Sequence, residues 1–373
     1  DRLRTLLYGG GMVNREAGMK TTRRRFVQGL GAIAPVSMLD TRLLAAAEAA
    51  PRAYFEELGL KPFVNAIGPY SSLGGAEMWP EVIRAMDYAA THKARMSELH
   101  DAVGRRIAEL TGTDAAMVTA GATCAMMLGV AACMAGDDQE KIERLPNTEG
   151  MPSEIIMLSP QRYLYDRSLR APGATLTFVD TAAEVRAAIG PQTAMLFFLQ
   201  NRQDDLQIGM QEFLAIGKEH DIPVMCDAAT TVPPVSRMRD TVEAGFDLVC
   251  YSGGKGLRGP YSAGLLLGRP DLIRAARLNG SPHHRSFGRS MKVSAEEYLG
   301  MMVAVEKSFG IDEEAEYQRQ FELISSVGRQ LEQLPGVTVS VGEPDYEARE
   351  PYIAVEWDTE RYPIEPAAVK QAL

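Results

Sequence analysis

The chain has 373 residues, of which 46% are hydrophobic, and its 39 basic and 49 acidic side chains give a formal charge of −10. At about 150 residues per domain, this length predicts two domains or one large α/β body with an appendage. The composition excludes a disordered, collagen-like or coiled-coil protein. The negative charge argues against nucleic acid as a partner, because binding to phosphates requires clustered Lys and Arg.

Hydropathy and the distribution of Cys and His exclude three further classes. The sequence contains no run of about 20 apolar residues, so we expect no membrane span. Four cysteines are too few for a disulfide framework in a chain of 373 residues. The five histidines lack metal-binding spacing such as His-Glu-x-x-His, and no metal site is expected.

The first residues have the pattern of an export signal. Residues 1–18 begin with Asp1 and have no clear period, and we interpret them as an upstream extension. Residues 19–50 contain the pair Arg23-Arg24, then Phe26, a short apolar stretch and an Ala-rich end. This order is typical of a twin-arginine signal peptide, although a basic amphipathic helix is the alternative. The signal predicts a periplasmic or extracellular protein, exported after folding around a cofactor; without it the protein would be cytoplasmic.

Hydrophobic periodicity predicts an N-terminal arm over 51–79 and a large α/β domain over 80–290. In the arm we expect a helix at 53–60 and a strand at 63–66. The large domain opens with helices at 80–90 and 98–111, after which strands and helices alternate. This alternation predicts a mostly parallel sheet covered on both faces by helices. Further helices are predicted at 122–134 and 211–220, and strands at 116–119, 155–158, 173–179, 194–199, 223–226, 248–251 and 263–267.

The remaining segment, 291–373, is predicted to form a smaller α+β C-terminal domain. A long helix is expected at 295–308 and a strand at 352–357. Residues 365–373 have the pattern of a helix that has just begun, and we expect the domain to be truncated.

One lysine follows a predicted strand and two glycines, in the run Ser252-Gly253-Gly254-Lys255. Glycines allow the backbone to turn tightly and to approach a ligand. A lysine held away from solvent at a strand end is easily deprotonated and can form a Schiff base. The alternative is a surface lysine in a glycine-rich turn.

Asp227 ends a predicted strand upstream of this lysine. The carboxyl end of a strand is the edge at which open α/β sheets bind ligands. Pyridoxal phosphate needs an acid there, because its ring acts as an electron sink when the ring nitrogen is protonated. Taken alone, Asp227 could equally be a helix cap or a turn residue. The ordered pair of Asp227 and Lys255 favours a pyridoxal phosphate site.

A third motif, Gly121-Ala122-Thr123, lies between a predicted strand and the helix that follows it. Backbone N–H groups at a helix N-terminus, together with the Thr123 hydroxyl, can bind an anion. This motif would hold the cofactor phosphate, and Ser252 offers another hydroxyl. The alternative is a plain strand–turn–helix with Thr123 as the cap.

These three motifs, in this order, resemble fold-type I pyridoxal-phosphate enzymes, which have the aspartate aminotransferase-like fold. The segments 65–68, 73–76 and 98–112 resemble the selenocysteine synthase (L-seryl-tRNA(Sec) selenium transferase) family. The segment 288–293, followed by Glu296-Glu297, is similar to its D-glucosaminate-6-phosphate ammonia-lyase branch. The resemblance spans roughly 55–373.

The resemblance implies a role for each matching residue. Lys255 would be the Schiff-base lysine and Asp227 the partner of the pyridine nitrogen. Tyr163 would stack on the cofactor ring, unless it is an ordinary packed aromatic. Arg289 would bind a substrate carboxylate, unless it is a surface cation beside Arg285. The phosphate would be bound by Gly121, Ala122, Thr123 and Ser252.

The expected function is a pyridoxal-phosphate-dependent lyase or transferase acting on a small amino acid or amino sugar acid, most simply by α,β-elimination. An aminotransferase, racemase or aldolase would use the same residues, and an exported non-catalytic relative is a further alternative. The family resemblance also implies a homodimer or larger homo-oligomer. The tRNA-acting members carry an N-terminal helical domain in place of the export signal, so tRNA binding is not expected.

Overall fold

We describe the protein from a computed structural model, which covers residues 52–203, 205–342 and 349–364. Its contacts divide the chain into two units, 1–64 and 65–373. The predicted extension at 1–18 and the predicted signal at 19–50 lie outside the described residues. In the first unit, helix α1 (Tyr54–Glu57) is flanked by an ion pair between Arg52 and Glu57.

The strand predicted at 63–66 is wrong. The second unit begins at Asn65, whose Oδ1 accepts hydrogen bonds from the backbone N–H groups of Ile67 and Gly68. An Asn that binds the backbone two residues further on makes a turn in place of extended pairing.

A seven-stranded sheet forms the centre of the second unit, with the order β1-β7-β6-β5-β4-β2-β3. Neighbouring strands from β3 to β6 pair in parallel, and β7 is antiparallel to both β1 and β6. The strands are β1 (Ala115–Thr119), β2 (Glu154–Leu158), β3 (Thr175–Val179), β4 (Thr193–Leu199), β5 (Val224–Asp227), β6 (Leu248–Ser252) and β7 (Gly264–Gly268).

The reversal of β7 follows from the loop before it. Residues 253–263 contain no helix, and a parallel return requires a crossover of about a dozen or more residues, usually helical. The chain therefore turns back beside β6. The predicted mostly parallel, helix-covered sheet is confirmed.

Helices cover both faces of the sheet, and each face has its own apolar core. Helix α4 is buried on nearly every side, and Gly129 lets it lie close to the sheet, because a Cβ there would come within 2.9 Å of the Met225 Sδ. The helices are α2 (Pro80–Thr91), α3 (Met96–Thr111), α4 (Ala122–Ala135), α5 (Gln139–Arg144), α6 (Arg167–Arg170), α7 (Ala182–Ala188), α8 (Met210–Glu219), α9 (Ser236–Glu243) and α10 (Pro270–Leu278).

Helix α11 (Ala295–Gly310) packs against α2 and α3. The Tyr298 hydroxyl on α11 hydrogen-bonds the imidazole of His100 on α3, and the two rings lie 4.3 Å apart between centroids. His100 is only 9% exposed. Its burial lowers the pKa of the imidazole from 6.5 to about 4.

The C-terminal part is a small α+β layer. Helix α12 (Glu313–Leu331) packs on the antiparallel pair β8 (Val337–Gly342) and β9 (Tyr352–Trp357). The strand predicted at 352–357 is present, whereas the helix predicted at 365–373 lies outside the described residues. In the part of the chain that the structure describes, no helix is long and apolar enough to cross a membrane.

Candidate active site

A cavity of about 320 Å³ opens at the edge of the sheet where β1, β4, β5 and β6 end. Seven of the eight residues predicted for the site line it: Gly121, Ala122, Thr123, Tyr163, Asp227, Ser252 and Lys255. The structure adds other residues that the sequence did not single out: Ser71, Ala120, Met126, Tyr165, Leu199, Asn201, Ala229, Thr230, Tyr261 and Ser262.

Lys255 is half-buried at the cavity and lies in the loop that follows β6. The glycines beside it fit because they have no side chain. A Cβ on Gly254 would lie 2.7 Å from the Tyr261 carbonyl oxygen, and one on Gly256 would collide with the Val232 carbonyl oxygen. The loop is therefore packed against neighbouring backbone on both sides of Lys255, and this packing fixes the position of the lysine Cα.

Arg258 ties the lysine loop to residues 76–79. Its guanidinium lies 3.8 Å from the centroid of the Trp79 ring, and its Nε donates to the Glu77 carbonyl oxygen at 2.8 Å. The Ala76 N–H donates in turn to the Gly254 carbonyl oxygen at 2.8 Å. Arg258 has a φ of 52°, a left-handed conformation that non-glycine residues rarely adopt. These contacts hold the loop that carries the candidate catalytic amine.

Asp227 ends β5 and is only 5% exposed. Its Oδ1 accepts a hydrogen bond from the Ala229 N–H at 3.0 Å and another from the Cys250 Sγ at 3.5 Å. Its Oδ2 accepts one from the Tyr163 hydroxyl at 2.6 Å. Both oxygens of this buried carboxylate therefore have hydrogen-bond donors, which hold its orientation at the cavity.

Tyr163 forms part of the cavity wall. Its ring packs against Phe197, with centroids 6.4 Å apart, and its hydroxyl also lies 3.2 Å from the Met126 Sδ. Burial, followed by the charge of Asp227, raises the pKa of the phenol far above its usual range. Tyr163 is therefore a permanent donor to Asp227 and not a group that titrates. It is a packed aromatic and a cavity residue at once.

The N-terminus of α4 forms an anion cradle. Gly121 precedes the helix with φ 87° and ψ 166°, a region that is essentially restricted to glycine. Gly264, at the start of β7, approaches so closely that a Cβ on it would lie 2.5 Å from the Gly121 carbonyl carbon. The first N–H groups of a helix have no partner within the helix. Together with the hydroxyls of Thr123 and Ser252, they could bind a phosphate.

Asn201 is a site residue that the sequence analysis missed. Its Nδ2 donates to the Thr230 Oγ1 at 2.8 Å, whereas its buried Oδ1 has no hydrogen-bond partner among the described residues. A buried acceptor without a donor is costly and indicates a ligand that supplies one. The available signal was position, because Asn201 follows the buried strand β4 as Asp227 ends the neighbouring β5.

Arg289 is the one predicted site residue that does not line this cavity. It lies half-buried in the loop after α10, where its backbone N–H bonds the Ser286 carbonyl oxygen. Gly288 beside it would meet Leu128, near the middle of α4, if it carried a Cβ. The same α4 that begins at the cavity therefore continues beneath the Arg289 loop. Arg285 in this loop pairs with Glu143 at 3.0 Å.

The donor set fits pyridoxal phosphate. An anion cradle, a buried carboxylate, an amine and an unsatisfied acceptor share one cavity. In that order, these groups would bind the phosphate, the ring nitrogen, the aldehyde and the phenolic hydroxyl of the cofactor. Residues that could hold the cofactor are Gly121, Ala122, Thr123, Tyr163, Asn201, Asp227, Ser252 and Lys255.

Several known proteins are similar to this chain, although no family profile matches it. A 5'-C-glycyluridine monooxygenase-decarboxylase from a Streptomyces species is 33% identical over 304 residues, which cover 78% of this chain and 74% of the relative. The D-glucosaminate-6-phosphate ammonia lyase of Salmonella typhimurium is 28% identical over 68% of this chain and 69% of the relative.

Two other similarities are shorter or more distant. The L-seryl-tRNA(Sec) selenium transferase of Geobacter metallireducens is 27% identical, covering 48% of this chain and 41% of that protein. A solved structure of D-glucosaminate-6-phosphate ammonia-lyase superposes with a TM-score of 0.74 at 23% identity, over 83% of this chain and 84% of that one. The superposition shows a shared fold.

Proposed function

Because the chain belongs to the selenocysteine synthase-like family of pyridoxal-phosphate-dependent enzymes, we propose that it catalyses α,β-elimination from an amino acid or amino sugar acid, as an ammonia lyase does. The observation that carries the proposal is the shared cavity of Lys255, Asp227 and the N-terminus of α4. The similarity to an ammonia lyase over 68% of the chain supports elimination.

The cofactor of this family is pyridoxal phosphate, which withdraws electrons from the Cα of an amino substrate when bound. The α4 N-terminus and the hydroxyls of Thr123 and Ser252 would bind its phosphate. The Asp227 carboxylate would hold a proton at the ring nitrogen, and Tyr163 would keep that carboxylate oriented.

Lys255 would move the proton of the reaction. Lys255 is half-buried, and its Nζ would hold the cofactor at rest and would remove the Cα proton of the substrate during the reaction. The same amine can pass that proton to the departing β-substituent. The released enamine would tautomerise to an imine, which water would hydrolyse to ammonia and a 2-oxo product. We also propose that Arg289, either of the same subunit or of another subunit in a homo-oligomer, binds a substrate carboxylate.

A second candidate is oxygen-dependent decarboxylation of an α-amino acid. It is favoured by the 33% identity to a monooxygenase-decarboxylase, which exceeds the 28% identity to the ammonia lyase. The same amine, acid and cradle would serve both reactions. The two differ in products, since decarboxylation consumes oxygen and releases carbon dioxide.

The test is a product assay on purified protein loaded with pyridoxal phosphate. D-glucosaminate-6-phosphate and a panel of β-substituted amino acids would be supplied with and without oxygen, and the Lys255→Ala variant would be the control. Ammonia and a 2-oxo acid in equal amounts, formed without oxygen, are expected. Oxygen uptake with carbon dioxide release would support the second candidate and contradict elimination.

Other products would contradict elimination, and each would identify a different reaction. Amino-group transfer to an added 2-oxo acid would identify an aminotransferase, inversion of the Cα a racemase, and an aldehyde an aldolase. A protein that binds no cofactor would point to a non-catalytic relative.

We also propose that the protein is a homodimer or larger homo-oligomer. Exposed apolar side chains lie at this cavity: Tyr165, 53% exposed, and Tyr261, 50% exposed, line it, and Leu164 beside Tyr165 in the chain is 80% exposed. A second copy covering these side chains would remove apolar surface from water. Light scattering combined with size-exclusion chromatography tests this, and a monomer at micromolar concentration would contradict it.

Export by the twin-arginine route is the last proposal. It is supported by Arg23-Arg24, Phe26 and the Ala-rich end of 19–50. Fusion of 19–50 to a reporter that is active only outside the cytoplasm tests it. Changing both Arg23 and Arg24 to Lys should abolish the reporter signal. A signal that survives this change would contradict the twin-arginine route, and no signal from the unchanged fusion would indicate a cytoplasmic protein.

A further inference from the structure

We infer that Cys250 is a positioning residue for the cofactor: its thiol holds Oδ1 of Asp227, so that the carboxylate stays charged and presents Oδ2 to the cavity. The inference rests on the proposed role of Asp227 as the partner of the ring nitrogen. It gives a role in the reaction to a residue that does not itself line the cavity.

The geometry places the two groups side by side. Asp227 ends β5 and Cys250 lies opposite it in the register of β6. The Cys250 Sγ is 3.5 Å from Oδ1, an ordinary distance for a hydrogen bond from sulfur. The Ala229 N–H donates to the same oxygen at 3.0 Å. Two donors thus fix Oδ1, while Oδ2 is left to Tyr163 and to whatever occupies the cavity.

The Cys250 thiol keeps its proton under all ordinary conditions. Its side chain is completely buried. Burial raises the pKa of the thiol well above its ordinary value, and the negative charge of Asp227 raises it further. A buried neutral thiol is a weak nucleophile, but it is a permanent donor. A hydrogen bond donated to a carboxylate favours the charged form of that carboxylate.

A charged carboxylate keeps the proton on the ring nitrogen. If Asp227 lost a donor in this buried place, its charge would be less well stabilised, and the shared proton would move toward the carboxylate. The ring would then be a poorer electron sink. Cys250 therefore acts on the cofactor through Asp227, across one strand pairing.

The neighbouring Cys226 provides a matched control. It is equally buried and adjoins Asp227 in the chain, yet its Sγ donates to the Gln200 Oε1 at 3.9 Å. In the part of the chain that the structure describes, no hydrogen bond joins the Cys226 thiol to the carboxylate. Removing either thiol costs a similar packing contact. Only the substitution of Cys250 removes a hydrogen-bond donor from Asp227.

The experiment compares Cys250→Ala, Cys250→Ser and Cys226→Ala, each loaded with pyridoxal phosphate labelled isotopically at its ring nitrogen. Two quantities are measured: the dissociation constant of the cofactor and the NMR chemical shift of the ring nitrogen. Cys250→Ala is expected to weaken binding about fivefold to tenfold and to move the shift toward the unprotonated position. Cys250→Ser donates a hydrogen bond and should keep the protonated shift, and Cys226→Ala should match the original protein.

Two results would overturn the inference: an unchanged shift in Cys250→Ala, or a shift toward the unprotonated position in Cys250→Ser. If the alanine variant does not fold, Cys250→Val, which fills the buried site but donates no hydrogen bond, takes its place, and an unchanged shift in it would overturn the inference. Asp227→Asn separates this inference from the proposed function. If Asp227→Asn binds the cofactor with the original shift, the role of Asp227 itself fails. If Asp227→Asn alters the shift and Cys250→Ala does not, only the role of Cys250 fails.

Discussion

The Tyr163 hydroxyl lies 2.6 Å from Oδ2 of Asp227, in the wall of the cavity. The two residues are 64 positions apart in the chain, and this hydrogen bond fixes the orientation of the carboxylate relative to the aromatic ring. Burial and the adjacent charge raise the pKa of the phenol far above its usual range, so the hydroxyl keeps its proton and remains a donor to Asp227.

Tyr163→Phe should weaken cofactor binding about tenfold, because it removes a hydrogen bond to a charged group while keeping the ring. Tyr163→Ala should weaken it further, because the wall of the cavity is lost as well. Fluorescence titration with pyridoxal phosphate measures both. Tyr88→Phe, on the exposed part of α2, is the control. Equal affinities for Tyr163→Phe and the original protein would mean that the hydroxyl has no role in holding Asp227.

Lys255→Ala should lower turnover by at least about a thousandfold, because the amine that moves the Cα proton is removed. The cofactor should also no longer become covalently fixed when borohydride is added. Absorbance spectra before and after reduction, followed by mass spectrometry, check this. Lys218→Ala, an exposed change on α8, should behave like the original protein. A reduced covalent adduct in Lys255→Ala would place the reactive amine elsewhere.

Gly121→Ala should raise the dissociation constant of the cofactor more than about tenfold. Its φ of 87° and ψ of 166° strain any side chain by about 1–3 kcal/mol, and relief of the strain would turn the α4 amides away from the phosphate. Gly112→Ala is the matched control, since Gly112 also has a positive φ and caps a helix, with nothing within 4 Å of an added Cβ. Both variants should lose stability in urea. If Gly112→Ala lost affinity equally, general destabilisation would explain the result.

The stability of the fold should fall as the pH drops from about 6.5 to 4. His100 has a folded pKa near 4, depressed from 6.5, so between these values the unfolded chain binds more protons than the folded one. The contribution is present above pH 6.5 and is lost on acidification, by about 3 kcal/mol when complete. Urea unfolding of His100→Gln should show a flatter pH dependence over this window. The exposed His220→Gln should retain the original slope, and equal slopes in all three proteins would contradict the assignment.

Much of the fold could be predicted because the strands carry their own signal. The runs in β4, β5 and β6 are apolar, short and bounded by turn residues, which is typical of strands buried on both faces. Helices such as α7, α9 and α10 were missed, because short helices with exposed faces contain too few apolar residues to show a hydrophobic periodicity. The orientation of β7 is not encoded in its apolar run; it depends on the length of the loop before it.

The site residues also divide into those that a local sequence motif reveals and those that it does not. Lys255, Asp227 and Thr123 carry a local signal, because each lies at or just after the end of a strand in a recognisable motif. Cys250 and Arg258 carry none, and Asn201 offers only its position after a buried strand. Their roles arise from neighbours across the sheet or across the cavity, and no local spacing reports such a contact. Arg289 was chosen because its segment resembles the ammonia-lyase branch and a guanidinium binds carboxylates, and neither determines where its loop packs.

The cavity takes its walls from segments that border every strand of the sheet except β3. No partly unfolded form that separates these strands could keep the ligand. Binding and unfolding are therefore thermodynamically linked, and cofactor at one hundred times its dissociation constant would add about 2.7 kcal/mol to the free energy of unfolding. We therefore expect the chain to resist proteases better as it is loaded, so that its lifetime would depend on the supply of the vitamin from which the cofactor is made.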